Sequence, residues 1–188
     1  MVALVAALAL CHSLALGGAP ARPSLPIIPT RAALLALPAF HAPGTQVIHF
    51  WATWCGPCRE ELPAFVARAK ALSARGVHFT FVSVDDPAQL DSRVLPFLRD
   101  VGALFPGATH VLLSPSVDPD SLKSLAPGWS AAVPQTLVFR HGERVGFAHG
   151  EDDLHALDGL GGPRPATKLR PGPSPAPRSP APAPRPSR

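Results

Sequence analysis

Two rhythms alternate along the middle of this chain. Val47 to Trp51 is a short apolar run rich in β-branched and aromatic residues, which predicts a buried strand. Arg59 to Arg75 then carries apolar residues at Leu62, Phe65, Val66, Ala69 and Leu72, the spacing of one helix face. Val77 to Val84 predicts a second strand, opening after Gly76, a natural helix C-cap. Asp85-Asp86-Pro87 ends that strand and starts a helix over Ala88 to Val101, which Pro96 kinks. Thr109 to Leu113 reads as a short third strand, and Asp118 to Leu125 as a helical turn capped by Asp118. Val133-Pro134-Gln135-Thr136 leads into a strand at Leu137 to Arg140. His141-Gly142 makes a tight turn, and Glu143 to Ala148 returns as its hairpin partner. Glu151 to Leu160 is expected to close the domain as a helix, with acids in its first turn. The order is that of an α/β fold.

The flanks break this pattern. Met1 to Leu16 is almost wholly apolar, short for a membrane span and of the length of a signal-peptide core. Ala19-Pro20-Ala21 offers a small-x-small cleavage site, although no Lys or Arg precedes the apolar run. Residues 1–21 are therefore expected to be a signal peptide or membrane anchor. Cys11 lies within them behind the large Leu10, which favours a packing residue over a lipid attachment site. Residues 22–44 are Pro- and Ala-rich and read as a linker or lead-in, with a short helix or strand at Arg31 to Leu37. Residues 45–162 form the expected domain. Residues 163–188 hold ten of the 25 prolines and predict a disordered extension.

Charge changes the picture only at that tail. It carries six Lys or Arg and no acid, while the rest has 11 basic and 13 acidic residues. The net charge of +4 therefore belongs to the tail, and the domain offers no basic face for nucleic acid.

The candidate chemistry sits where the first strand hands over to the first helix. Cys55-Gly56-Pro57-Cys58 occupies that junction, with Cys55 at the helix N-terminus and Cys58 one turn inside. Free backbone N–H groups and the positive helix end favour an anion there, and the thiolate is the reactive form of cysteine. Cys55 is placed to attack a disulfide, and Cys58 to resolve the mixed disulfide. Pro57 fits the first turn, where a missing N–H costs nothing. A Cys-x-x-Cys pair is also half a zinc site, but no second cysteine pair exists to complete one.

Phe50-Trp51-Ala52-Thr53-Trp54-Cys55-Gly56-Pro57-Cys58-Arg59, followed by Glu61-Leu62-Pro63, resembles the active-site signature of the thioredoxin superfamily. The similarity is to its TlpA/ResA-like extracytoplasmic thiol-disulfide oxidoreductases. The resemblance implies a thioredoxin-like fold, with a central mixed sheet flanked by helices. It implies a monomeric enzyme working through the Cys55–Cys58 couple with no prosthetic group or metal. Its reactions are reduction of protein disulfides in the periplasm or envelope, apocytochrome c cysteines included, with electrons from a membrane thiol carrier. A second reading is a copper-binding or copper-delivery protein of the same fold, since soft thiolates suit Cu(I).

The same resemblance assigns further residues. Val133-Pro134 matches the cis-proline signature that faces the cysteine pair, with Ala132 where the family often has glycine. A proline opening a strand donates no ladder bond, leaving the backbone beside it free to pair with substrate. Trp54, Gly56, Pro57, Val133 and Pro134 are thus the expected substrate contacts. Glu61 shares a helix face with Cys58 and is a candidate proton carrier. His49, six residues before Cys55, stands where thioredoxins carry aspartate and TlpA-like proteins usually asparagine. Strand alternation points it with Val47 and Trp51 toward the helix. It is either the acceptor of the Cys58 proton or a neutral ring held by a hydrogen bond.

Overall fold

The structure is a computed structural model that describes residues 25–130 and 132–160. The expected N-terminal leader and the Pro-rich tail lie outside them. Six strands form one mixed sheet: β1 (Ile27–Ile28), β2 (Thr45–Trp51), β3 (Val77–Ser83), β4 (Ala108–Leu113), β5 (Gln135–Arg140) and β6 (Glu143–His149), in the order β1-β4-β3-β2-β5-β6. The first four neighbours run parallel, and β5 and β6 are antiparallel. The strand that leads into the cysteines is therefore interior, paired with β3 on one side and β5 on the other. A strand covered on both faces needs a continuous apolar run, and every β2 residue after Thr45 is buried.

Helices α2 (Gly56–Ser73) and α3 (Leu95–Asp100) cover one face of the sheet. The apolar stripe Leu62, Phe65, Val66, Ala69 and Leu72 packs there on Val47, Trp51, Phe79 and Phe81. On the other face α1 (Arg31–Leu35), the turn at Pro38–Phe40 and the segment from Val117 to Trp129 cover Ile48, Phe50, Val82 and Leu137. Strand alternation sends Ile48 and Phe50 to this second face and Val47, His49 and Trp51 to the first.

Three expectations change, and the turn capped by Asp118 is met. The folded unit begins well before Thr45: Ile27 and Ile28 pair with Leu112 and Leu113, and Leu34, Ala39 and Phe40 are buried. Apolar residues spaced too closely for periodicity to register still fill the sheet's second face. The helix expected over Ala88 to Val101 is broken into a 3-10 turn (Pro87–Gln89), a π turn (Leu90–Val94) and α3. Pro96 is the second residue of α3, directly after the π turn, inside one continuous helical run. The turn capped by Asp118 is a 3-10 helix, Pro119–Leu125. The closing helix of Glu151 to Leu160 is instead two 3-10 turns, Gly150–Asp152 and His155–Leu157. Among the described residues, no helix is long and apolar enough to cross a membrane.

Candidate active site

Cys55 is the N-cap of α2 and forms a disulfide with Cys58. The Cys58 backbone N–H donates to Cys55 Sγ at 3.2 Å, so the helix's free amides already point at this sulfur. Both cysteines are buried, Cys58 completely, whereas Gly56 and Pro57 between them are exposed. Trp54 stands 62% exposed beside them, a large apolar ring at the rim of the site. Trp51 is fully buried and packs on Phe97, over which Arg59 also lies.

The opposite wall comes from the start of β5. The Val133–Pro134 peptide is cis, and the Val133 carbonyl oxygen lies 3.4 Å from Cys55 Sγ. In the disulfide that sulfur has no proton to donate, so this is an approach and not a hydrogen bond. The Gln135 side-chain amide donates to the carbonyls of Ser130 and Ala132 and closes the loop ahead of Pro134. His141 is the non-glycine residue with positive φ among the described residues, so Ala132 needs no glycine's freedom here.

Beneath the cysteines the structure brings His49 and Glu61 together and adds two residues that sequence spacing did not single out. The His49 ring stacks on Phe65, with centroids 4.2 Å apart. Its Nδ1 is 2.9 Å from Thr136 Oγ1 on β5, and its Nε2 is 3.7 Å from Glu61 Oε1. Asp153, from the segment after β6, is fully buried and joins the cluster; His49, Glu61 and Asp153 each bring an atom to within 4.8 Å of the others. Burial drives the His49 pKa from 6.5 down to about 3, so the ring is neutral. Burial, and then the charge of Asp153, pushes Glu61 up to about 8. Burial likewise pushes Asp153 up to about 7. Asp153 and Thr136 are both far from the cysteines in sequence, and only the tertiary structure reveals them.

A third unexpected residue holds the turn before Cys55. Asp85, fully buried at the end of β3, accepts from Thr53 N at 3.0 Å, Thr53 Oγ1 at 2.5 Å and Ser83 Oγ at 2.8 Å. Its carboxylate thus ties the end of one parallel strand to the loop that presents the nucleophile.

The two raised carboxyl groups make stability depend on pH. Unfolded, they ionise near 3.8 and 4.5; folded, they keep their protons to about 7 and 8. The folded state binds the extra protons, so stability is lost as pH rises through that window. His49 acts in the opposite sense but only below 6.5, where the unfolded imidazole charges and the buried one does not. The melting temperature is expected to fall between about pH 6.5 and 8.5, and Asp153→Asn to flatten that fall. A wild-type melting temperature that rises over this interval contradicts the assignment.

Residues 35–106 match the AhpC/TSA family. A DsbE homolog of Paracoccus denitrificans, named a thiol:disulfide interchange protein, is 30% identical over 108 residues, 57% of this chain and 51% of that protein. The thiol-disulfide oxidoreductase ResA of Bacillus subtilis is 32% identical over 59 residues, 31% of each chain. The chain spans about half the length of the first relative and less of the second. Among solved structures, a thioredoxin-family thiol:disulfide interchange protein from Chlorobium tepidum aligns at 22% identity. The TM-score is 0.49, over 63% of this chain and 81% of that one. An interior parallel strand thus delivers a disulfide to a helix N-terminus opposite a cis-proline, in a chain whose residues 35–106 are similar to the AhpC/TSA family.

Proposed function

We propose that this protein is a thiol-disulfide oxidoreductase that reduces disulfides of protein substrates outside the cytoplasm. The observation that carries the reading is the Cys55–Cys58 disulfide at the N-terminus of α2, facing Val133–Pro134. In the reduced protein, the Cys55 thiolate attacks a substrate disulfide and one substrate sulfur leaves as thiolate. Cys58 then attacks Cys55 Sγ, re-forming the internal disulfide and releasing the second sulfur. Exposed Trp54, with Gly56 and Pro57, forms the rim that meets substrate, and the backbone at Val133 pairs with an extended substrate segment. The apolar N-terminal segment and the resemblance to extracytoplasmic oxidoreductases support an envelope location. They also support a membrane thiol carrier as electron donor and apocytochrome c as a first substrate class to try. A redox titration of the purified chain in glutathione buffers tests the reading. A two-electron Cys55–Cys58 couple is expected, and cysteines that fail to exchange overturn it.

Within this reading Glu61 carries the proton of Cys58, and His49 is a neutral neighbour that holds its place through Thr136. An acceptor works best when its pKa is near the working pH, which Glu61 at about 8 satisfies and His49 at about 3 does not. Glu61→Gln is expected to slow the resolving step on the order of a hundredfold, and His49→Asn by less than about tenfold. Stopped-flow measurements of both variants from about pH 5 to 9 separate them. A larger loss in His49→Asn reverses the roles.

A further inference from the structure

Two carboxyl groups lie buried side by side beneath the disulfide, and the chemistry above uses only one of them. Glu61 comes from α2, one turn after Cys58; its side chain is 12% exposed, against none for Asp153. Glu61 Oε1 and His49 Nε2 lack a well-formed hydrogen bond, and the Asp153 carboxyl has only loose approaches to Thr136 and to the Glu61 carboxyl. The titratable groups beside the pair are His49 from β2 and Asp152 next to Asp153, with Cys58 one turn before Glu61 on α2, while β5 contributes the Thr136 hydroxyl and backbone. Among the described residues, the Lys and Arg ion pairs lie elsewhere, at Arg68–Asp158 and Lys123–Asp120. His49 is held neutral and supplies no countercharge. Two ionised carboxylates side by side with no cation are costly in such a place. One proton between them supplies a donor and removes one of the two charges.

We propose that Glu61 and Asp153 form a carboxyl–carboxylate pair holding one proton between them, and that Asp153, acting through Glu61, sets the pH at which the pair takes the Cys58 proton. The proposal rests on the dithiol reading above. In the resolving step the Cys58 S–H bond breaks and its proton passes to the pair. The Cys58 sulfur bonds to Cys55 Sγ, the bond from Cys55 to the substrate sulfur breaks, and that sulfur leaves as a thiolate with the electron pair. The protein is oxidised by two electrons and the substrate disulfide reduced by the same two. The pair, now doubly protonated, returns one proton to water at the exposed edge of Glu61. Values of about 8 for Glu61 and about 7 for Asp153 place this gain and loss near neutral pH. Asp153 is a positioning residue, since its charge reaches the sulfur only through Glu61.

Two measurements on the full chain test this. Infrared titration of the oxidised protein counts protonated carboxyls. Solvent-exposed acids are ionised above about pH 6, so a protonated band that persists there and disappears by about pH 9 belongs to the buried pair. No such band above pH 6 overturns the proposal, without any variant having to fold. The second measurement is the reduction potential and resolving rate against pH for wild type, Asp153→Asn and Asp153→Ser. Removing the neighbouring charge is expected to move the bend of both curves down by about one pH unit. Curves that superimpose on wild type overturn it. Failure of the wild type to exchange with glutathione at all sinks the dithiol reading instead, while the infrared result still decides whether the pair shares a proton.

Discussion

Cys58→Ser is expected to trap a stable mixed disulfide between Cys55 and a protein substrate, and Cys55→Ser to trap none. The asymmetry follows from position. Cys55 caps α2, where the Cys58 amide already donates to its sulfur, and the exposed Trp54, Gly56 and Pro57 give partners access to it. Cys58 is fully buried one turn deeper, one turn before Glu61 on the same helix. Helix amides and the dipole favour the Cys55 thiolate, and burial disfavours that of Cys58. Either substitution removes a partner the cycle requires, so turnover is expected to drop by about a thousandfold or more. Mass spectrometry of the trapped species, with alkylation of the reduced wild type, checks the order of attack. Faster alkylation of Cys58 than of Cys55 would falsify it.

Asp85→Ala is expected to be the most destabilising change near the site outside the cysteines and the buried Glu61–Asp153 pair. It removes the acceptor of the half-buried Thr53 N–H and hydroxyl and strands the buried Ser83 hydroxyl. Hydrogen bonds to a charged acceptor are worth ~1.5–3 kcal/mol each, and unpaired buried donors cost a comparable amount. Relief of burying the carboxylate offsets part of this, which leaves a net loss of about 3 kcal/mol. Because Thr53 stands two residues before Cys55, the loosened turn should also change the alkylation rate of the reduced Cys55. Urea unfolding measures the first effect. A loss below about 1 kcal/mol would show that water or a shifted loop replaces the carboxylate.

The sequence alone carried the strand-to-helix junction, because both its signals are local. A β-branched apolar run gives way within a few residues to helical spacing, and Cys55 and Cys58 fall at the change. It made Pro134 legible through the resemblance of its tetrapeptide to a family signature, and His49 and Glu61 were each expected near Cys58. What it could not carry depends on contacts between distant segments. The lead-in at Ile27–Ile28 is a strand only because β4 offers an edge to it. The segment expected as a closing helix bends into 3-10 turns that bury Asp153 and Leu157 against the helix layer. Asp153 joins Glu61 because β6 ends beside the N-terminal half of α2, a proximity no period in the sequence encodes. Periodicity reports which side of an element is apolar. Whether a carboxyl among those residues is buried, paired or left sharing a proton is decided only when the sheet register sets one segment against another.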